Sequence, residues 1–156
     1  MTVDDARKRA GKLFPHSSTP LLDAECILAY VLRLSRAEIL SRGGNELDAG
    51  QESAFCRAAE LRANGLPVAY ITGVKEFFGF EFQVTSDVLI PKPDTELLVE
   101  KTLNAIAGLL PAMCRYPLRI ADVCAGSGCV AVSLALCATV PLDITISADI
   151  GLGTGE

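Results

Sequence analysis

Leu118-Arg119-Ile120-Ala121-Asp122-Val123-Cys124-Ala125-Gly126-Ser127-Gly128-Cys129-Val130-Ala131 is the stretch whose reading decides the fold class. Leu118 to Val123 is a short apolar run of strand length, Cys124 to Gly128 a glycine-bearing turn, and Ser127 to about Ala138 an apolar helix. Asp143 to Ala148 then reads as a second strand. Strand, helix and strand in that order form a βαβ unit, because a parallel pair needs a crossover of about a dozen residues, usually a helix.

The turn contains Gly126-x-Gly128-x-x-Ala131, a spacing that lets a backbone pass close to a nucleotide-type cofactor while the helix packs tightly on the strand. The spacing alone is a weak signal. It gains weight by following a strand, opening a helix and preceding Asp149, near the offset of about 20 residues at which an acid commonly bonds ribose hydroxyls. The plainer reading is a tight packing turn followed by a strand-terminal Asp that acts as a cap.

A dinucleotide and S-adenosylmethionine both suit such a turn, and Asp122 discriminates between them. A carboxylate just before the turn repels a pyrophosphate but attracts the cationic amino group and sulfonium of the methyl donor. Asp122 can equally bond the loop's backbone N–H groups, and the two roles are compatible.

Upstream, residues 1 to about 66 read as a small helical bundle, since apolar positions recur at three- and four-residue steps. Ser18 or Thr19 with Pro20 opens a helix that carries Leu22, Cys26, Ala29, Val31 and Leu32 inward and ends at Arg33 to Ser35. Ser35 caps a short helix through Ile39 and Leu40, stopped by Gly43-Gly44. Asp48 starts another, with Phe55, Ala58, Ala59 and Leu61 inward, Glu52, Arg57 and Arg62 outward, and its end at Asn64-Gly65.

From Tyr70 to Ile90 the pattern turns to β around Gly79, with Phe77, Phe78, Phe80 and Phe82 forming either the core of a hairpin or one wall of a site. Pro91 and Pro93 end it. Asp94 or Thr95 then caps a helix with Val99, Leu103, Ile106 and Leu110 on its inner face.

Bulk properties narrow the classes. Half of the 156 residues are hydrophobic and 21% are charged, enough for a packed core. A formal net charge of −5 argues against general affinity for nucleic acid. The acidic start Thr2-Val3-Asp4-Asp5 is unlike a signal peptide, and the longest apolar run, Cys129 to Leu142, falls short of the ~20 residues of a membrane span. The six cysteines form no C-x-x-C pair and His16 is the only histidine, so reduced thiols, a cytoplasmic location and no metal are expected.

Pro67-Val68-Ala69-Tyr70-Ile71-Thr72-Gly73, Glu76-Phe77-Phe78-Gly79 and Leu89-Ile90-Pro91-Lys92-Pro93-Asp94-Thr95-Glu96 resemble the signature of HemK/PrmC-type release-factor glutamine methyltransferases. With Asp122 to Gly128 and Ala148-Asp149-Ile150, the resemblance reaches residue 150. It implies three parts: a helical release-factor-recognition domain (1–66), a β-hairpin linker (67–93), and the start of an S-adenosylmethionine-dependent, Rossmann-like class I methyltransferase domain (94–156). The implied fold class is therefore α/β, with only the first βαβ of that domain present.

By the same resemblance Cys124, Ala125, Gly126, Ser127 and Gly128 line the cofactor's methionine and ribose side, Asp149 holds the ribose hydroxyls, and the loop from Ile90 to Glu96 lies near the cofactor. The implied activity is N5-methylation of the glutamine in the Gly-Gly-Gln motif of peptide chain release factors, by a monomer. Cys124 and Ala125 stand where the family often has Gly and Thr, and Lys92-Pro93-Asp94 where Arg-Pro-Glu is common. No nearby base or cation activates Cys124, which reads as a small turn residue.

The family's Asn-Pro-Pro-Tyr motif, which holds the substrate glutamine, has no copy in these residues. No catalytic residue is therefore assigned, and the chain is expected to carry the family's identity without its turnover. Two other classes remain: a non-catalytic release-factor-binding module, and an NAD-dependent oxidoreductase fragment supported only by the glycine spacing and Asp149.

Overall fold

The computed structural model describes residues 1–108 and 117–147. The chain divides between Gly73 and Val74 into two units, each described by itself.

The first unit is helical: α1 (Val3–Leu13), α2 (Pro20–Leu32), α3 (Arg36–Ser41), α4 (Ala49–Ala63) and α5 (Val68–Thr72). Three of these starts are capping boxes, Thr2 with Asp5, Ser35 with Glu38 and Asp48 with Gln51, in which each partner satisfies a backbone N–H of the other. The bonds donated by Thr2, led by its side chain, hold the Asp5 carboxyl below the usual carboxylate range. The backbone N–H of Ser35, followed by its hydroxyl, does the same for Glu38.

α4 ends where the sequence places it. Gly65 takes φ 96°, Leu66 N–H reaches the Leu61 carbonyl at 3.0 Å, and Gly65 N–H reaches that of Arg62. Val3, Ala6 and Ala10 of α1 pack with Ala24, Ile27 and Leu28 of α2 and with Phe55, Ala58 and Ala59 of α4. Ile27 and Leu28 are both fully buried, each worth roughly 1.5–3 kcal/mol. Within this core the buried Glu25 pairs with Arg7 at 3.3 Å and Arg36 at 2.9 Å, joining α1, α2 and α3.

The second unit contains β1 (Val74–Phe77), β2 (Phe80–Gln83), a 3-10 turn (Pro93–Thr95), α6 (Glu96–Gly108), β3 (Leu118–Val123), α7 (Cys129–Cys137) and β4 (Leu142–Ser147). β1 and β2 are antiparallel with Phe77 opposite Phe80. The alternation puts Lys75, Phe77, Phe80 and Phe82 on one face, where Phe77 and Phe82 meet edge to face at 6.1 Å. These rings pack with Val99 of α6, Cys129 and Leu134 of α7, and Ile120 and Ile144 of the other sheet. The aromatic cluster is thus hairpin core. β3 and β4 are parallel, from Leu118 opposite Leu142 to Val123 opposite Ser147, with α7 as the crossover.

Several expectations need correction. Tyr70 to Thr72 are helical, not β. Pro67 (φ −58°) starts α5, Gly73 (φ 75°) ends it, and Val68 and Ile71 pack on the bundle core, so burial outweighs β propensity. Leu22 is exposed, because the buried stripe of α2 runs through Ala24, Ile27 and Leu28, beginning about 200° around the helix from it. Leu61 faces out and Arg62 turns in. Arg62 bonds Asp23 at 2.8 Å and lies 5.9 Å over the Phe14 ring, which satisfies its charge while its stem covers apolar surface.

Thr19 occupies the N-cap of α2 without a side-chain cap bond; its hydroxyl and that of Ser17 go to Asp23. α3 stops at Ser41, before the glycines. Gly43 serves a close approach instead: a Cβ there would sit 2.7 Å from Asp4 Cγ, where Asp4 N–H bonds the Gly43 carbonyl. Asp94 and Thr95 lie in the 3-10 turn, so α6 begins at Glu96. The inner face of α6 is confirmed at Val99, Leu103 and Ile106; Leu110 lies outside the described residues.

Candidate functional site

The site lies at the carboxyl end of β3, where the chain turns into α7. Cys124, Gly126 and Gly128 all have positive φ, at 60°, 55° and 72°. The turn is closed by Gly128 N–H to the Ala125 carbonyl at 2.8 Å and tied to β4 by Ala125 N–H to the Ser147 carbonyl at 3.3 Å. A Cβ on Gly126 or Gly128 would meet nothing within 4 Å among the described residues. These glycines are therefore required by backbone conformation, and among the described residues the space beside them is open.

α7 starts two residues later than expected, at Cys129, with Gly128 as its N-cap. A glycine cap has no side chain with which to satisfy the first-turn N–H groups. Asp122 supplies the missing acceptor from the strand: its Oδ2 takes the Ala131 N–H at 3.2 Å. Its Oδ1 has no partner among the described residues. One carboxylate therefore both braces the helix start and leaves negative charge at the mouth of the turn.

Cys124, Ala125, Gly126, Ser127 and Gly128 form this one turn, with Cys124 and Gly126 exposed and the others half-buried. Cys124, Cys129 and Cys137 are free thiols. β4 ends at Ser147, and Asp149 lies outside the described residues. In the loop from Ile90 to Glu96, Pro91 is buried and Lys92 exposed. The sequence reading missed a bond in which Phe78 N–H donates to Glu96 Oε1 at 3.0 Å. Its only sequence signal was Phe78-Gly79 in a two-residue turn position, which leaves central amides outside the strand ladder. No group of three or more His, Cys, Asp or Glu suited to a metal occurs among the described residues, and none of their helices is long and apolar enough to cross a membrane.

These features define a mixed α/β protein with a helical unit ahead of a parallel β-helix-β segment, whose glycine turn lies at the carboxyl end of the first strand of that segment. Residues 5–73 match the family model described as the PrmC N-terminal domain. The chain is 43% identical over 134 residues to a release factor glutamine methyltransferase of Burkholderia pseudomallei, covering 86% of this chain and 45% of that protein. It is 40% identical over 137 residues to one of Coxiella burnetii, covering 87% and 47%, and 39% identical over 143 residues to one of Yersinia pestis, covering 89% and 49%. Over most of its own length the chain is similar to these release factor glutamine methyltransferases, as its motifs indicated, and it spans about half the length of the curated relatives it matches.

Proposed function

We propose that the chain is an S-adenosylmethionine-binding portion of a release-factor glutamine methyltransferase, acting in the cytoplasm as a monomer. In this reading residues 1–66 recognise the release factor, 67–93 form the linker, and 94–156 begin a Rossmann-like class I methyltransferase domain. Cys124, Ala125, Gly126, Ser127 and Gly128 hold the methyl donor, and Asp149 holds its ribose.

One observation carries the assignment: Asp122 stands beside an open turn of three left-handed residues with one carboxylate oxygen uncommitted among the described residues. That charge suits a cationic ligand and opposes a pyrophosphate, which speaks against the nicotinamide reading. The donor, when bound, supplies an electrophilic methyl group. The chain's own contribution is to cradle it with backbone groups, to neutralise positive charge through Asp122 and to fix the turn against α7.

The acceptor in this reading is the glutamine amide of the Gly-Gly-Gln motif, a poor nucleophile whose lone pair is delocalised into its carbonyl. Transfer depends on alignment, which supplies on the order of 7 to 11 kcal/mol in favourable cases. The 156 residues contain no Asn-Pro-Pro-Tyr to align it. A polypeptide of this sequence is therefore expected to bind donor weakly and release factor through its helical unit, without turnover. The separate core of the first unit also favours a second reading, a non-catalytic release-factor-binding module. Equilibrium dialysis with labelled donor tests the first: displacement by S-adenosylhomocysteine but not by NAD is expected, and the reverse order overturns it. An assay of methyl incorporation into release factor should stay at background.

A further inference from the structure

Glu96 stands where the hairpin meets α6. It is the first residue of that helix, and its Oε1 accepts the Phe78 backbone N–H. The hairpin explains why this N–H is available. Phe77 pairs with Phe80, so Phe78 and Gly79 are the two central residues of the turn, both left-handed at φ 52° and 78°. Amides in those positions lie outside the ladder. Asn or Asp is the usual first residue of such a turn, and Phe there costs about 1 kcal/mol. A bond to a carboxylate, roughly twice as strong as one between neutral groups, offsets that strain, and the start of a helix favours the negative charge.

The residues next to this bond lead to the glycine turn. Phe77 precedes Phe78 and is 1% exposed; Val99 lies one helical turn beyond Glu96 and is fully buried. Both belong to the cluster that contains Cys129, the first residue of α7, which directly follows Gly128. The bond thus joins hairpin tip and helix start, and Cys129 shares the buried cluster of the residues beside it.

We infer that Glu96 is a positioning residue for the turn Cys124 to Gly128, acting through Phe77, Val99 and Cys129. The inference rests on the reading of that turn as the methyl donor's site, and Glu96 itself is assigned no contact with the donor.

The test combines amide hydrogen exchange, read by NMR on the full chain, with titration of S-adenosylmethionine. Glu96→Ala should speed exchange at Phe78 and also at Gly126, Ser127, Gly128 and Cys129, and weaken donor binding, each by about tenfold. Glu96→Gln keeps an oxygen acceptor and should restore most of both. Should Glu96→Ala fail to fold, Glu96→Asp, with its charge kept and its reach shortened, should show the same pattern at smaller amplitude. Faster exchange confined to Phe78 and Gly79, with the glycine turn unchanged, overturns the inference. If the wild-type chain shows no response to donor, the reading of the turn as a donor site fails, while exchange at Gly126 to Cys129 still decides whether Glu96 controls it.

Discussion

Oδ2 of Asp122 accepts the backbone N–H of Ala131 at 3.2 Å, so the last turn-facing carboxylate of β3 caps α7 at the position its own glycine N-cap cannot serve. This gives Asp122 two separable roles. Asp122→Asn keeps an acceptor but removes the charge, and should leave the thermal midpoint within a few degrees while weakening donor binding. Asp122→Ala loses the cap as well and should cost about 1–2 kcal/mol in a urea titration. Equal donor affinity in wild type and Asp122→Asn would rule out the electrostatic role.

Left-handed positions should respond in opposite directions to opposite substitutions. Arg33, at the end of α2, holds φ 54° with an exposed side chain, so Arg33→Gly should stabilise the chain by roughly 0.5–1 kcal/mol. Gly126→Ala should destabilise by about 1 kcal/mol from backbone strain, since no described residue lies within 4 Å of the added Cβ. Urea midpoints of the two variants check both signs.

The capping-box acids make stability fall in acid. Asp5 and Glu38 are held below their ordinary range in the folded chain, so the unfolded chain binds protons first as pH drops. Their contribution is complete above the ordinary carboxylate range and is lost as pH falls through the lowered folded values. A double variant, Asp5→Asn with Glu38→Gln, should be less stable at neutral pH and show a shallower decline below that range. Thermal midpoints from neutral to acid pH for both proteins measure it; parallel curves would contradict the assignment.

Much of this architecture was legible in the sequence where one local rule dominated. Ser35 and Asp48 announce helix starts because their caps are built from residues three apart, and Asn64-Gly65 announces an end because only glycine reaches φ 96° without strain. The glycine turn was legible for the same reason. What failed depended on partners distant in sequence. Arg62 turns inward for Asp23, 39 residues away, and displaces Leu61 to the surface. Tyr70 to Thr72 are helical despite β-branched residues because Val68 and Ile71 pack on the bundle core. The Glu96 bond to Phe78 spans 18 residues and uses a backbone donor that no side-chain pattern reveals.

The central claim is that the turn after β3 receives a cationic methyl donor. Titrating the isotope-labelled chain with S-adenosylmethionine and, separately, with NAD, while following backbone amides by NMR, tests it directly. The account predicts donor-induced shifts centred on Asp122 and on Cys124 to Gly128, with NAD leaving them in place. Shifts at those amides from NAD and none from S-adenosylmethionine would contradict it.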